Sequence, residues 1–172
     1  GMRTTRHPAL RWTALTLAGL AAFRLLLRPR LLRWGATPAE ARRKMPGDTL
    51  IPRPHVVATR AITVAAEPQD LWPLLPTLAA QDAEVVQEKP FHTLVMAVRG
   101  FYVTVTWAME LREQHDGTRL VVRQRILCRP GVLGLIYLLL SDTADFFTVR
   151  EQLTTVKALA EGKPHRAALA VP

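Results

Sequence analysis

The run FYVTVTWAMELREQ, Phe101 to Gln114, constrains this chain more than any other stretch. Phe101, Val103, Val105, Trp107, Met109 and Leu111 share one parity, while Tyr102, Thr104, Thr106, Ala108, Glu110 and Arg112 share the other. Only an extended strand puts alternate residues on opposite faces, so the run reads as a half-buried antiparallel strand. Asp116-Gly117 follows as a hairpin signal, and Arg119 to Arg129 is the returning strand. It is expected to bury Leu120, Val122, Gln124, Ile126 and Cys128. Arg119, Arg123, Arg125 and Arg129 are expected outward, as a solvated face that keeps the sheet soluble.

The rest of the chain supplies partners for that hairpin. HVVATRAITVAA, His55 to Ala66, is β-branched with period 2 and reads as the first strand. Glu67-Pro68-Gln69-Asp70 opens a helix through LWPLLPTLAA that Pro73 and Pro76 keep short or bent. Residues 82–88 and Phe91 to Arg99 are two further strands around Lys89-Pro90. After Pro130-Gly131 a long helical stretch runs to Gly162, in one or two pieces split near Ser141-Asp142. Phe146, Val149, Leu153, Val156 and Ala160 form a stripe at helical spacing that must cover a sheet. The economical architecture is α+β: a curled antiparallel sheet gripping one long C-terminal helix.

Ahead of this lies PALRWTALTLAGLAAFRLLLR, residues 8–28, read as a single helix between Pro8 and Pro29. About 20 residues at ~1.5 Å each reach ~30 Å, the thickness of a bilayer core. Charge is confined to the same region. In residues 1–60, 12 Lys/Arg face two acids, a net of +10, whereas residues 61–172 are near neutral at −1. That asymmetry points to an anionic membrane surface contacted by one segment, with Trp12, Arg24, Arg28, Arg30, Arg33 and Trp34 as the contact residues. The basic flank after the helix would hold the domain on the cytoplasmic side. The alternative is a helix packed on its own domain or on a second copy, as a homodimer. A lone Gly ahead of Met2 reads as a remnant of a removed tag.

Between helix and first strand, Thr37-Pro38-Ala39-Glu40 has the form of a capping box, followed by a short helix to about Lys44. Met45-Pro46-Gly47-Asp48 turns the chain, and Thr49 to Pro54 is expected as extended linker. The chain therefore divides into an N-terminal helix over 2–32, a capped connector over 33–54, a domain over 55–162 and a tail over 163–172.

On these residues the sequence resembles the START-like (SRPBCC) superfamily, the helix-grip group that includes the birch-pollen allergen, lipid-transfer START domains and polyketide cyclase/dehydrase proteins. It is most similar to bacterial members in which a hydrophobic N-terminal helix leads into an RWGAT…E…PGD element. Here that element is Arg33-Trp34-Gly35-Ala36-Thr37, Glu40 and Pro46-Gly47-Asp48, followed by Ala58 to Leu75. The similarity resumes over Trp107 to Arg125 and from Ala144-Asp145-Phe146 onward. One departure is the short passage from Leu75 to Val85, where such proteins carry a longer insertion that walls the cavity.

The resemblance implies an apolar ligand, a hydrophobic small molecule or lipid, between sheet and helix. The candidate lining is Leu94, Met96 and Val98; Val103, Val105, Trp107 and Met109; Leu120, Val122, Gln124 and Ile126; then Phe146, Val149 and Leu153. These are equally the residues of an ordinary core. Arg60 and His92 share parity with apolar neighbours and are the candidate polar groups of the cavity. A cyclase- or dehydrase-like enzyme would use them, with Gln124, to polarise a carbonyl. No paired carboxylates or nucleophile motif mark a catalytic residue. The scattered histidines and single Cys128 imply no metal or cofactor, and glycine-rich phosphate loops are absent. Basic residues interleaved with Leu and Trp, as in LLLRPRLLRW, do not suit nucleic acid.

Overall fold

The strongly alternating run does fold as a central strand. The computed structural model describes residues 8–129, 131 and 148–162, and the chain divides between Leu31 and Leu32 into two units. The second unit holds a five-stranded antiparallel sheet: β1 (Val56–Val64), β2 (Glu84–Lys89), β3 (Thr93–Arg99), β4 (Val103–Gln114) and β5 (Gly117–Cys128). Strand order is β1-β5-β4-β3-β2, so the first strand pairs with the last. Between β1 and β2 the prolines do what the sequence predicts: α4 (Pro68–Leu71) lasts one turn, and Trp72–Leu78 tightens into a 3-10 helix.

Register puts every strand residue of the candidate lining on one face. Rows across the strands run Val56, Ile126, Val105, Val98; then Ala58, Gln124, Trp107, Met96; then Arg60, Val122, Met109, Leu94. The C-terminal helix, described over residues 148–161, sets Leu153, Val156 and Ala160 against this inner face, joined by Leu71, Leu75 and Leu78. Polar contacts tie the same helix to the outer edge of β1. Lys157 Nζ donates to the Thr63 carbonyl at 3.0 Å, and the Ala65 N–H donates to Glu161 Oε1 at 2.9 Å. Together with the Ala61 N–H donating to the Trp34 carbonyl at 3.1 Å, these contacts occupy an edge that would otherwise invite another strand.

The outer face corrects the sequence reading. Arg119, Arg123 and Arg125 are not solvated, because the connector lies across them. The connector begins with the expected capping box: the Glu40 N–H donates to Thr37 Oγ1 and the Thr37 N–H to Glu40 Oε2, opening α3 (Pro38–Arg42). Arg123, 2% exposed, then uses all five of its N–H groups. It donates to Thr59 Oγ1, to Asp48 Oδ2, and to the carbonyls of Glu40, Ala41 and Arg43 at the C-terminal end of α3. A cation there satisfies orphan carbonyls and meets the negative end of the helix. Arg119 grips Glu40 with two nitrogens, at 3.0 and 2.8 Å, and Arg125 takes Asp48 Oδ1 at 2.8 Å and the Ile51 carbonyl at 3.0 Å.

Apolar contacts complete the clamp. Met45 packs with Ala61, Val95, Ala108 and Val121 in a second small core, and Ile51 is buried too, so the otherwise exposed segment 49–53 is pinned to the sheet at that one residue. Two glycines let the connector approach closely. A Cβ on Gly35 (φ +70°) would fall 2.0 Å from the Ala61 carbonyl oxygen, and one on Gly47 (φ +83°) 2.6 Å from Val95 Cγ1.

In the first unit, Pro29 does not stop the helix. α1 (Pro8–Ala22) passes through a π-helical turn, Phe23–Leu27, into α2 (Arg28–Leu32). The Arg28 N–H reaches back to the Phe23 carbonyl, and Arg30 Nη1 donates to the Leu26 carbonyl at 2.7 Å. A wider turn ahead of the proline relieves its ring and its missing N–H. Among the described residues no helix is long and apolar enough to cross a membrane.

Candidate functional site

The candidate site is the inner face of the sheet under the C-terminal helix. Of its predicted lining, Leu94, Met96, Val105, Trp107, Met109, Leu120, Val122, Gln124, Ile126 and Leu153 are buried. Val98, Val103 and Val149 are partly buried at its margin, and Phe146 lies outside the described residues. The alternation of β4 and β5 is what delivers this convergence, since one strand contributes every second residue.

Two polar side chains interrupt the apolar surface. Gln124 stands between Ala58 and Trp107, and Arg60, 3% exposed, stands opposite Val122, one row along from Gln124. Diagonal positions of this kind are roughly 7 Å apart, within joint reach of one ligand group. Their chemistry is limited. A guanidinium keeps its protons and only donates, and an amide donates and accepts without titrating. The pair can hold a carbonyl or carboxylate oxygen, but neither can take a proton from a substrate.

His92 does not join them. The sequence reading started the third strand at Phe91; the structure starts it at Thr93, because Phe91 takes a left-handed turn conformation (φ 61°). His92 is exposed on that turn, with Nδ1 2.9 Å from the Pro90 carbonyl oxygen. It borders a separate open cleft of about 570 Å³ with Lys89, Glu110 and Arg112. The buried inner positions therefore include no Asp, Glu, His or Lys among the described residues.

Other titratable groups serve the fold. Hydrogen bonds from Arg119 hold the Glu40 carboxyl down at about 2, against the opposing effect of burial and with help from Thr37. Burial works to raise Glu110, but Arg43 at 2.7 Å and Arg112 at 2.6 Å overcome it and keep that carboxyl below its usual range. Burial pushes the Cys128 thiol up, away from the thiolate a nucleophile needs. Among the described residues no group of three His, Cys, Asp or Glu side chains is arranged to hold a metal.

The residues expected at a membrane separate into two sets. Trp12, Arg24, Arg30 and Arg33 are exposed, as are Leu15, Leu17 and Leu20, and Arg28 is partly covered. Trp34 is corrected: it packs against the main core with Arg150 5.9 Å over its ring, and its carbonyl is bound to β1.

No protein-family model matches the chain, and no curated protein matches it. Solved structures do. Protein MLL2253 from Mesorhizobium loti superposes with a TM-score of 0.51 at 15% identity, over 64% of this chain and 100% of its own. Protein CV1439 from Chromobacterium violaceum gives 0.49 at 10% identity, over 62% and 99%. A Polyketide_cyc-like protein from Corynebacterium glutamicum gives 0.35 at 12% identity, over 61% and 85%. At these identities the likeness is one of fold, and the part of this chain it spans has the size of the domain without its N-terminal helix.

Proposed function

We propose that this sheet and C-terminal helix, arranged as in the helix-grip fold that the sequence resembles, bind a hydrophobic small molecule or lipid between the inner face and the helix, without transforming it. The observation that carries this reading is the inner face itself. Trp107, Met96 and Met109 offer an adaptable apolar surface, and Arg60 with Gln124 offers donors for one polar head. An acyl chain with a carboxylate or carbonyl end has that pattern. The enzyme reading is weaker, since His92, its one candidate proton carrier, lies on an exposed turn.

The N-terminal helix supports a membrane-associated role on the cytoplasmic side, lying in the headgroup boundary rather than crossing it. Its exposed Trp12 and leucines would face acyl chains and its arginines phosphate. A helix-mediated homodimer is the competing use of the same leucines; light scattering of the detergent-free chain at rising concentration separates the two.

Native mass spectrometry of the full chain purified from cells, with lipid extraction, tests the ligand. A co-purifying apolar species displaced by added fatty acid is expected. The reading falls if nothing co-purifies and fatty acid leaves the amide resonances of β4, β5 and residues 148–161 unmoved.

A further inference from the structure

The turn joining β3 and β4 carries two adjacent aromatic residues that the fold leaves uncovered: Phe101 is 69% exposed and Tyr102 55%. They are held firmly. The Gly100 N–H donates to the Val103 carbonyl at 2.9 Å, and a Cβ on Gly100 would stand 2.9 Å from the same oxygen, so the turn is tight. The Arg129 N–H donates to the Tyr102 carbonyl at 2.8 Å and ties the tip to the end of β5. The two rings meet edge to face at 4.9 Å, and the Arg129 guanidinium stands 4.8 Å over Phe101. Leu127, also exposed, pairs with Thr104 beside Tyr102, one outward position past Arg125, the arginine that holds Asp48 and the Ile51 carbonyl of the connector.

We propose that this tip is a second membrane contact, in which Phe101, Tyr102 and Leu127 enter the headgroup boundary of an anionic bilayer while Arg129 and Arg99 meet its phosphates. An apolar ring backed by a phenol and fringed by guanidinium groups matches a boundary that is greasy below and negative above. Arg129 carries most of the charge match, because Asp82 and Glu84 share a small cleft with Arg99. The three apolar side chains exposed there among the described residues are too few for a stable protein interface, which needs about 800 Å² from each partner. A bilayer imposes no such minimum, since each inserted side chain contributes by itself. The contact depends neither on the N-terminal helix nor on a ligand at the inner face.

The test uses the full chain carrying Phe101→Cys, labelled with the environment-sensitive dye NBD; native Cys128 is buried and does not compete for label. The control label is at His115→Cys, a fully exposed turn at the other end of β4. Equimolar phosphatidylcholine and phosphatidylglycerol vesicles are expected to blue-shift and brighten the label at 101 and leave the one at 115 unchanged. Arg129→Gln should raise the lipid needed for half the change at 101 about fivefold, the worth of one arginine at such a surface. The proposal is overturned if the chain floats with the vesicles while the label at 101 stays unchanged, which leaves the N-terminal helix as the sole anchor. It is equally overturned if the chain ignores the vesicles, or if the label brightens with protein concentration alone, which would make the tip a self-association surface.

Discussion

Arg123 and Asp48 meet at 2.9 Å on the outer face of the sheet, and Arg125 holds the second oxygen of the same carboxylate at 2.8 Å. One carboxylate thus fixes two arginines of a central strand to a turn that lies far away in sequence. Replacing Arg123 strips donors from Asp48 and from three carbonyls at the end of α3 at once. Arg123→Met is expected to cost about 3 kcal/mol in chemical denaturation, the scale of a broken buried pair. Arg123→Lys should recover less than half of that, because three donors on one nitrogen cannot serve five directions. Full recovery by lysine would reduce the clamp to simple charge neutralisation.

The clamp also carries a pH signature. The folded Glu40 carboxyl lies at about 2, below its ordinary value of 4.5, so it stabilises the fold above 4.5. That contribution is lost as the pH falls from 4.5 toward 2. It should amount to on the order of 2 kcal/mol, after allowing for the solvent that reaches the pair. Glu40→Gln should be less stable at neutral pH and flatter in acid than the parent. Parallel stability curves for the two proteins between pH 5 and 2 would show that other carboxylates govern acid unfolding.

The inner half of this architecture was legible because period 2 is a geometric necessity: once Trp107 and Met109 face the helix, Gln124 and Val122 must face it beside them. The outer half was misread for the same reason that arginine is usually solvated. The available signal was in the neighbours, not the arginines. Ala61, Val95, Ala108 and Val121 occupy outward positions with small or apolar side chains, where a wet face would carry charge. Glu40 and Asp48, the only acids among the first 60 residues, were the matching half of the clamp. His92 was misplaced by two residues of strand boundary, and no periodicity announces that Phe91 turns with φ 61°.

The two close glycines should respond differently to the same methyl group. Gly35→Ala drives Cβ into a backbone carbonyl, which cannot move without shifting β1, while Gly47→Ala meets only a side chain. Each pays ~1 kcal/mol or more for its left-handed backbone, and Gly35→Ala should cost about 2 kcal/mol beyond that. In a double-mutant cycle, Val95→Ala should offset part of the Gly47→Ala loss and none of the Gly35→Ala loss. Additive losses at Gly47 and Val95 would mean that the connector does not press on the sheet there.

The connector also decides where the chain can be cut. Leu32 and Trp34 pack against the domain core, whereas Leu15, Leu17, Leu20 and Trp12 are uncovered. Deleting residues 2–31 removes the second set and keeps the first, along with the capping box and every arginine contact of the clamp. The truncated chain is expected to fold with the acid sensitivity set by Glu40 and to lose most of its membrane-bound fraction in lysed cells, keeping only the weaker binding of the Phe101 tip. Deleting only 2–22 returns Arg24, Arg28 and Arg30 together with the exposed Leu25, Leu26 and Leu27, and should restore part of the binding to anionic vesicles; its Coulomb share should fall with added salt, because charge attraction is screened within about 10 Å at ordinary ionic strength. A full-length chain that is soluble without detergent and ignores anionic vesicles would exclude the anchoring role and leave the exposed leucines to a second copy of the helix.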